Sequence, residues 1–252
     1  MSKHIGEINY NKFGSKMEII EYNGYNNVKV FFDEYNWIYE GRYDYFKNST
    51  LKCPYEPRIY GVGYIGEGKY CLKYNRKLFD TWSGMLQRCY SEKYQLKKPS
   101  YIGCEVKEYW FNLQNFGKWY EENYYEIEGQ QIHLDKDILV KGNKIYSPST
   151  CIFVPERINS LFTKCDKVRG NLPMGVTEDG KTHHFRARCS TLDNNCKLKR
   201  VELGNYKTPQ EAFIHYKIFK ENYIKQVANE YKTYIPKELY DAMYRWEVDI
   251  ND

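Results

Sequence analysis

The chain has 252 residues, of which 42% are apolar and 28% charged, and its formal net charge is +5. This length allows one large domain or two to three small ones. No apolar stretch approaches the roughly 20 residues that a membrane-spanning helix needs, and the N-terminus MSKHIGEINYNKF lacks the apolar core of a secretion signal. Its eight cysteines are scattered without a CxxC pair, so we expect free thiols in a reducing cytoplasm.

The positive charge is concentrated in one segment of the sequence. Residues 163–207 contain ten lysines and arginines against five aspartates and glutamates, an excess equal to that of the whole chain. A local basic excess of this kind is the electrostatic signature of a nucleic-acid-binding surface. The sequence therefore places a candidate binding surface in its last third.

Residues 1–52 have the pattern of a small β-barrel. The runs MEIIEY, NVKVFF and NWIYEG are rich in β-formers and are separated by turn residues. We expect a Src-homology-3-like barrel that either binds a DNA or protein partner or only stabilises the next domain. Residues 53–77, with the glycine-rich and proline-containing CPYEPRIYGVGYIGEGKY, are predicted to be an ordered connector.

Two helices are predicted after the connector. The stretch RKLFDTWSGMLQRCYSEKY places Leu78, Trp82, Met85 and Leu86 at helical spacing. The following stretch predicts a second helix whose aromatic face packs in the core (Val106, Trp110, Phe111, Phe116, Trp119 and Tyr120).

The segment HLDKDILVKGNKIYSPSTCIFVPERIN, residues 133–159, predicts two strands followed by a helix that starts at Pro155. Alternation places His133, Asp135 and Asp137 on one strand face, and Asn159 lies on the helix. A histidine can take a proton from water, and carboxylate and amide oxygens suit Mg²⁺. In the alternative interpretation the carboxylates pair with nearby lysines and Asn159 is an ordinary helix residue.

Residues 171–252 predict three strands and two helices after a basic linker at 163–170. The strands are MGVTED, HFRARCS and KLKRVELG, and the first helix is capped at Thr208-Pro209 with Glu211 in its first turn. Alternation turns Phe185, Ala187 and Cys189 towards the helix. It turns a row of arginines outward, where they are expected to be bare to solvent and to contact DNA, with nearby lysines on phosphates (Arg186, Arg188, Arg200, Lys181 and Lys199).

The stretches GV, FRARC and LGNYKTPQEAFIHYK resemble the Apetala-type, or ethylene-response-factor, DNA-binding domain over about residues 171–229. The matched positions are Gly175, Val176, Phe185, Ala187, Leu203, Gly204, Tyr206, Thr208, Glu211, Ala212 and Tyr216. In that family the sheet enters the major groove, which implies base or phosphate contacts for the outward arginines. The chain departs from the family at Met174, usually arginine, and at Glu202, usually tryptophan.

Residues 78–162 resemble phage homing-endonuclease-like proteins of the HNH type. The resemblance rests on the order TWSGMLQRCY, PSYIGCEVKEYWFNLQNFGKWY and LDKDILVKGNKIYSPSTCIFVPERIN. It implies that Asn159 is a metal ligand, whereas Thr150 stands where the family has its middle asparagine. Two registers remain open for the first motif: His133 is the base and Asp135 a ligand, or Asp135 takes the base position and the base is lost.

These expectations combine into an α+β protein with a barrel, a central strand–strand–helix domain and a C-terminal sheet module. The first functional hypothesis is a site-specific endonuclease that cuts double-stranded DNA with Mg²⁺ or Mn²⁺ in the cytoplasm of a phage host. The second is a phage DNA-binding regulator or anti-defence factor whose nuclease finger is degenerate. The third is a phage accessory factor that binds only proteins, and we expect the N-terminal barrel to be the part that binds such a partner.

Overall fold

A computed structural model describes residues 3–163, 172–180, 183–192 and 197–251. The α+β class is confirmed. The chain divides into two compact units, one formed by Met1–Glu122 with Lys144–Ser147 and the other by Asn123–Asn143 with Pro148–Asp252. The basic linker expected at 163–170 lies outside the described residues apart from Thr163.

The first unit begins with an antiparallel sheet in sequential strand order: β1 (Ile8–Tyr10), β2 (Lys16–Tyr22), β3 (Val28–Phe32) and β4 (Trp37–Gly41). The short helix α1 (Tyr43–Lys47) follows, and its Phe46 is buried with Met17, Ile19 and Val30. The expected barrel is wrong, because β1 and β4 pair with no further described strand. A sheet of only four strands stays open, and α1 contributes to its apolar core instead.

Two longer helices follow the predicted pattern with one interruption. They are α2 (Arg76–Tyr90) and α4 (Leu113–Asn123), and the short helix α3 (Glu92–Lys97) lies between them. The aromatic helix predicted from Val106 onward begins only at Leu113, after the short strand β5 (Glu105–Val106) and a 3₁₀ turn. The delay has a local cause, because the Asn112 side-chain oxygen accepts the Gln114 N–H at 2.9 Å and so caps the helix there. Strand β5 pairs in parallel with β7 (Ile145–Tyr146).

The described residues of the second unit form a two-stranded ribbon, a three-stranded sheet and three helices. The ribbon is β6 (Ile132–Asp135) with β8 (Ile152–Pro155), followed by α5 (Glu156–Asn159). The sheet has the order β11-β10-β9, with β9 (Val176–Asp179), β10 (His184–Leu192) and β11 (Leu198–Tyr206). The chain ends with the helices α6 (Pro209–Tyr231) and α7 (Lys237–Tyr244).

Helix α6 joins two apolar cores of this unit. Its C-terminal half packs with Ile152, Val154 and α7, while its N-terminal half packs under the sheet through Ala212 and Phe213. Tyr216 also lies so close to Gly175 that a β-carbon there would overlap the tyrosine ring, and Gly175 has a positive φ of 75°. A glycine at this position is therefore required by both the close contact and the backbone conformation.

The capping box at the start of α6 is confirmed. Thr208 Oγ1 accepts the Glu211 N–H at 3.2 Å, and the Glu211 carboxylate accepts the Thr208 N–H at 3.3 Å. We expect Thr208→Ala to lower the free energy of unfolding by about 1 kcal/mol, because one helix N–H loses its partner. Thermal or urea unfolding checks this, and Thr208→Ser, which keeps the hydroxyl, should unfold like the parent. A Thr208→Ala variant as stable as the parent would contradict the assigned role.

No helix in the described part of the chain combines the length and the apolar character that crossing a membrane requires. No disulfide joins the six cysteines described in the structure, as expected from their spacing (Cys53, Cys71, Cys89, Cys104, Cys151 and Cys189).

Candidate functional site

The ribbon β6–β8 positions two of the predicted catalytic residues on the same face. His133 lies opposite Val154 and Asp135 lies opposite Ile152, and directly opposed residues of antiparallel strands share a face. Val154 and Ile152 belong to the core that α6 and α7 complete. Both His133 and Asp135 are accordingly half-buried, on the side of the ribbon that packs into the protein.

Asp137 does not continue this strand face, so that part of the sequence interpretation is wrong. Strand β6 ends at Asp135, whose Oδ1 accepts the backbone N–H groups of Asp137 and Ile138, each at 2.8 Å. A short carboxylate side chain can bind the backbone just after it in this way and so replace the strand ladder by a turn. Asp137 therefore lies in the turn that Asp135 closes.

The electrostatics of this turn are unusual for a carboxylate. Burial raises the pKa of Asp135 to about 6, and the nearby charge of Asp137 raises it further. The hydrogen bonds from the two backbone N–H groups act in the opposite direction and lower this pKa. Asp137 also contacts the ammonium group of the buried Lys136 at 3.1 Å. The turn thus holds two interacting carboxyl groups, one of which changes charge close to the pH range of cells.

Asn159 is the last residue of α5, which contacts β6, and its side chain is half-buried. Within the described residues, no three histidine, cysteine, aspartate or glutamate side chains converge as a metal-binding group. Mg²⁺ commonly uses only one or two protein carboxylates and completes its shell with waters and phosphate oxygens. The pair Asp135 and Asp137 fits this kind of ion, because a divalent cation would offset their mutual repulsion.

The C-terminal sheet places its arginines on one face, as predicted. Arg186 lies opposite Thr177 on β9 and Asn205 on β11, Arg188 lies opposite Glu202, and Arg200 lies opposite Ser190. The intervening residues Ala187 and Cys189 are buried against α6. We call the outward face that carries Arg186, Arg188 and Arg200 the arginine face.

The expectation that these arginines are bare to solvent is wrong for two of them. The Arg186 guanidinium contacts the Asp179 carboxylate at 2.6 Å, and its Nε donates to the Asn205 side-chain oxygen at 3.3 Å. Nε of Arg188 donates to the Glu202 carboxylate at 2.9 Å. The side chains of Arg186 and Arg188 are therefore only 32% and 26% exposed.

Arg200 differs from the other two arginines of this face. Its residue is exposed, and none of the ion pairs between described residues includes it. It therefore presents its guanidinium to solvent in the way that was expected for all three.

Of the two predicted phosphate-binding lysines, Lys199 does not lie on the arginine face. Lys199 pairs with Thr191, one position along from Arg200, so it projects from the opposite face of β11. Lys181 lies outside the described residues. The residues missed from the sequence are Asp179 and Asn205, which bind the Arg186 side chain. Aligning β9 and β11 with β10 would have placed both of them next to Arg186.

No family model matches the chain, and no curated protein or solved structure matches it significantly. The similarities to HNH and Apetala-type proteins therefore stay predictions from sequence. The functional argument rests on the arginine face and on the turn at Asp135.

Proposed function

We propose that the protein binds double-stranded DNA through the arginine face of its C-terminal sheet. The observation that supports this proposal is the common orientation of Arg186, Arg188 and Arg200 on the face opposite α6. A short stretch of antiparallel strands is narrow enough to enter the major groove. There guanidinium groups bind guanine edges in pairs of hydrogen bonds, and they also bind phosphate oxygens.

The ion pairs on this face have two opposing effects on such binding. Asp179 and Asn205 fix the direction of the Arg186 guanidinium, and Glu202 fixes that of Arg188, so less conformational entropy is lost on binding. The carboxylates of Asp179 and Glu202 also repel the phosphates of DNA. The proposed surface is therefore one with modest overall charge but defined donor directions, which favours discrimination between sequences over strong non-specific binding.

The variant Glu202→Gln separates these effects at Arg188. We expect it to strengthen binding to duplex DNA about threefold to tenfold, because it removes a negative charge near the phosphates while an amide oxygen still accepts from Arg188. Fluorescence anisotropy with a labelled duplex at fixed salt measures the change. The matched control is Glu238→Gln on α7, which should bind like the parent; equal affinities for all three proteins would count against DNA at this face.

Binding itself is tested by titrating random-sequence and selected duplexes at several salt concentrations. Because bound cations release counterions from DNA, the logarithm of the affinity should fall linearly with the logarithm of salt, with a slope of about −0.9 for each phosphate neutralised. Three arginine contacts predict a slope of about −2 to −3. A protein that binds no duplex at low salt contradicts the proposal and favours the protein-binding alternative.

A second candidate function is metal-dependent hydrolysis of the DNA backbone at the ribbon β6–β8. One observation favours it: the raised pKa of Asp135 beside Asp137, since perturbed carboxyl pairs concentrate at functional sites. Asp135 and Asp137, with Asn159 on the contacting helix, would hold Mg²⁺ or Mn²⁺, which would activate water and stabilise charge on the phosphate. His133, on the same face as Asp135, is the residue proposed to accept a proton from the attacking water.

Supercoiled plasmid incubated with Mg²⁺ or Mn²⁺ distinguishes an enzyme from a DNA-binding regulator in the cytoplasm of a bacterial host. Relaxation that EDTA stops and that Asp135→Asn and His133→Ala both abolish supports the nuclease. Plasmid that stays supercoiled with the parent protein, although the protein binds it, supports the regulator and leaves the arginine face as the functional surface.

A further inference from the structure

Strand β11 is the edge of the C-terminal sheet. The sheet has the order β11-β10-β9, so only one side of β11 is hydrogen-bonded to a described strand. The edge is long for an unprotected strand, with nine residues, and most of them are exposed. Such an edge offers unpaired backbone N–H and C=O groups to another strand.

A groove of mixed polarity lies beside this edge on the helix side of the sheet. Its apolar lining comes from Leu203 of β11 and from Ile218, Phe219 and Tyr223 of α6, and its polar lining from His215, Asn222 and Gln226. Ile218 is 54% exposed, and Leu198 at the start of β11 is 75% exposed. An exposed edge with apolar side chains next to it is the usual composition of a surface that pairs with another chain.

We propose that β11 pairs in antiparallel fashion with β11 of a second copy of this chain, with the two-fold axis at Val201. The two sheets then form one six-stranded sheet with both α6 helices on the same side. An antiparallel pair with its axis at any single residue places residues of the same strand face opposite each other. In the stretch of β11 just before the bulge at Leu203, the centres to compare are Arg200, Val201 and Glu202.

Charge selects Val201 among these centres. An axis at Arg200 places the Arg200 residues of the two copies opposite each other, and an axis at Glu202 does the same with the two Glu202 residues. Both residues are exposed, so like charges would meet at either axis. With the axis at Val201, Arg200 of each copy lies opposite Glu202 of the other copy, so the interface contains two such pairs. Opposite charges directly across a strand pair stabilise it, whereas like charges destabilise it.

The apolar contacts agree with this register. Lys199 then lies opposite Leu203 of the second copy on the helix side, where the alkyl part of the lysine can cover the leucine while its ammonium group reaches solvent. Val201 meets its own copy at the axis. The register shift of β11 falls at Leu203 itself, which lies between Gly204 opposite Ala187 and Glu202 opposite Arg188. Regular pairing across the axis therefore covers residues 200–202, and Lys199 meets the bulge.

Sedimentation velocity of the full chain without DNA tests the proposal, so its result does not depend on DNA binding. We expect the parent to sediment as a dimer. Arg200→Glu and Glu202→Arg should each sediment as monomers, because each places like charges opposite each other in both halves of the interface. An equimolar mixture of the two variants should form a dimer, since every facing pair in the mixed species is again oppositely charged.

The matched control is Lys237→Glu on α7, a charge reversal away from the edge strand that should leave the dimer intact. Circular dichroism melting confirms that each variant is folded, which matters for Glu202→Arg because Glu202 also contacts Arg188. A monomeric parent, dimeric single variants or a mixture of folded variants that stays monomeric would each overturn the proposal.

Discussion

Replacing Arg186, Arg188 and Arg200 together by glutamine is expected to weaken binding to duplex DNA by at least about a hundredfold. A lost guanidinium contact to a base edge costs about 1–3 kcal/mol, and three such contacts are removed at once. The loss should grow as salt is lowered, because phosphate contacts are lost as well. Anisotropy titrations with the same duplex at two salt concentrations measure both effects.

Lys199→Gln is the matched control for this triple variant. It removes a cation from the same strand, but Lys199 projects from the face opposite to Arg200. We expect its affinity for the duplex to stay within about threefold of the parent, because salt screens the effect of one lysine charge on the far face of the sheet. If Lys199→Gln weakened binding as much as the triple variant, DNA contact would not be confined to the arginine face. The ion pairs of Arg186 and Arg188 are partly exposed, so their loss should cost little stability.

Asp135→Asn is expected to stabilise the fold at pH 7 by about 1–2 kcal/mol. The pKa of Asp135 is raised to about 6 in the folded protein from its usual 3.8. Between these values the folded protein binds more protons than the unfolded chain, so the stability of the parent falls as pH rises from about 4 to 6. The full shift corresponds to about 1.36 kcal/mol per pKa unit, and the partial exposure of Asp135 reduces it.

Asparagine removes the charge and keeps the oxygen that accepts the two N–H groups of the turn. The gain of Asp135→Asn should therefore disappear near pH 4, where the parent carboxyl is also neutral. Asp135→Ala loses the turn contacts and should gain less than Asp135→Asn at every pH. Urea unfolding at pH 4 and pH 7 checks this; a gain that is the same at both values would mean that the charge on Asp135 is not the cause.

Much of the second unit could be predicted from local sequence signals. Thr208, Pro209 and Glu211 define the start of α6 by themselves, because a capping box needs only residues close in sequence. Strict alternation in HFRARCS likewise shows which residues face the helix, because a shift of one residue would turn the apolar side chains to solvent. The barrel failed for the opposite reason, because closure depends on pairing between distant strands that no local pattern encodes.

The candidate sites were harder to predict than the elements that carry them. Whether Arg188 is bare depends on which residue of β11 lies opposite it, and a register shift in β11 places Glu202 there. Asp137 left the strand face because the carboxylate of Asp135 binds the following backbone. Both outcomes are decided by single side-chain contacts, which periodicity does not describe.

Site-specific photocrosslinking to duplex DNA tests the DNA-binding surface most directly. A benzophenone side chain is introduced at Ser190, which is exposed on the arginine face opposite Arg200, or at Ile214, which is exposed on α6. Our account predicts that the protein modified at residue 190 crosslinks to the duplex and that the one modified at residue 214 does not. Efficient crosslinking from 214, or none from 190 under conditions where the protein binds, would contradict it.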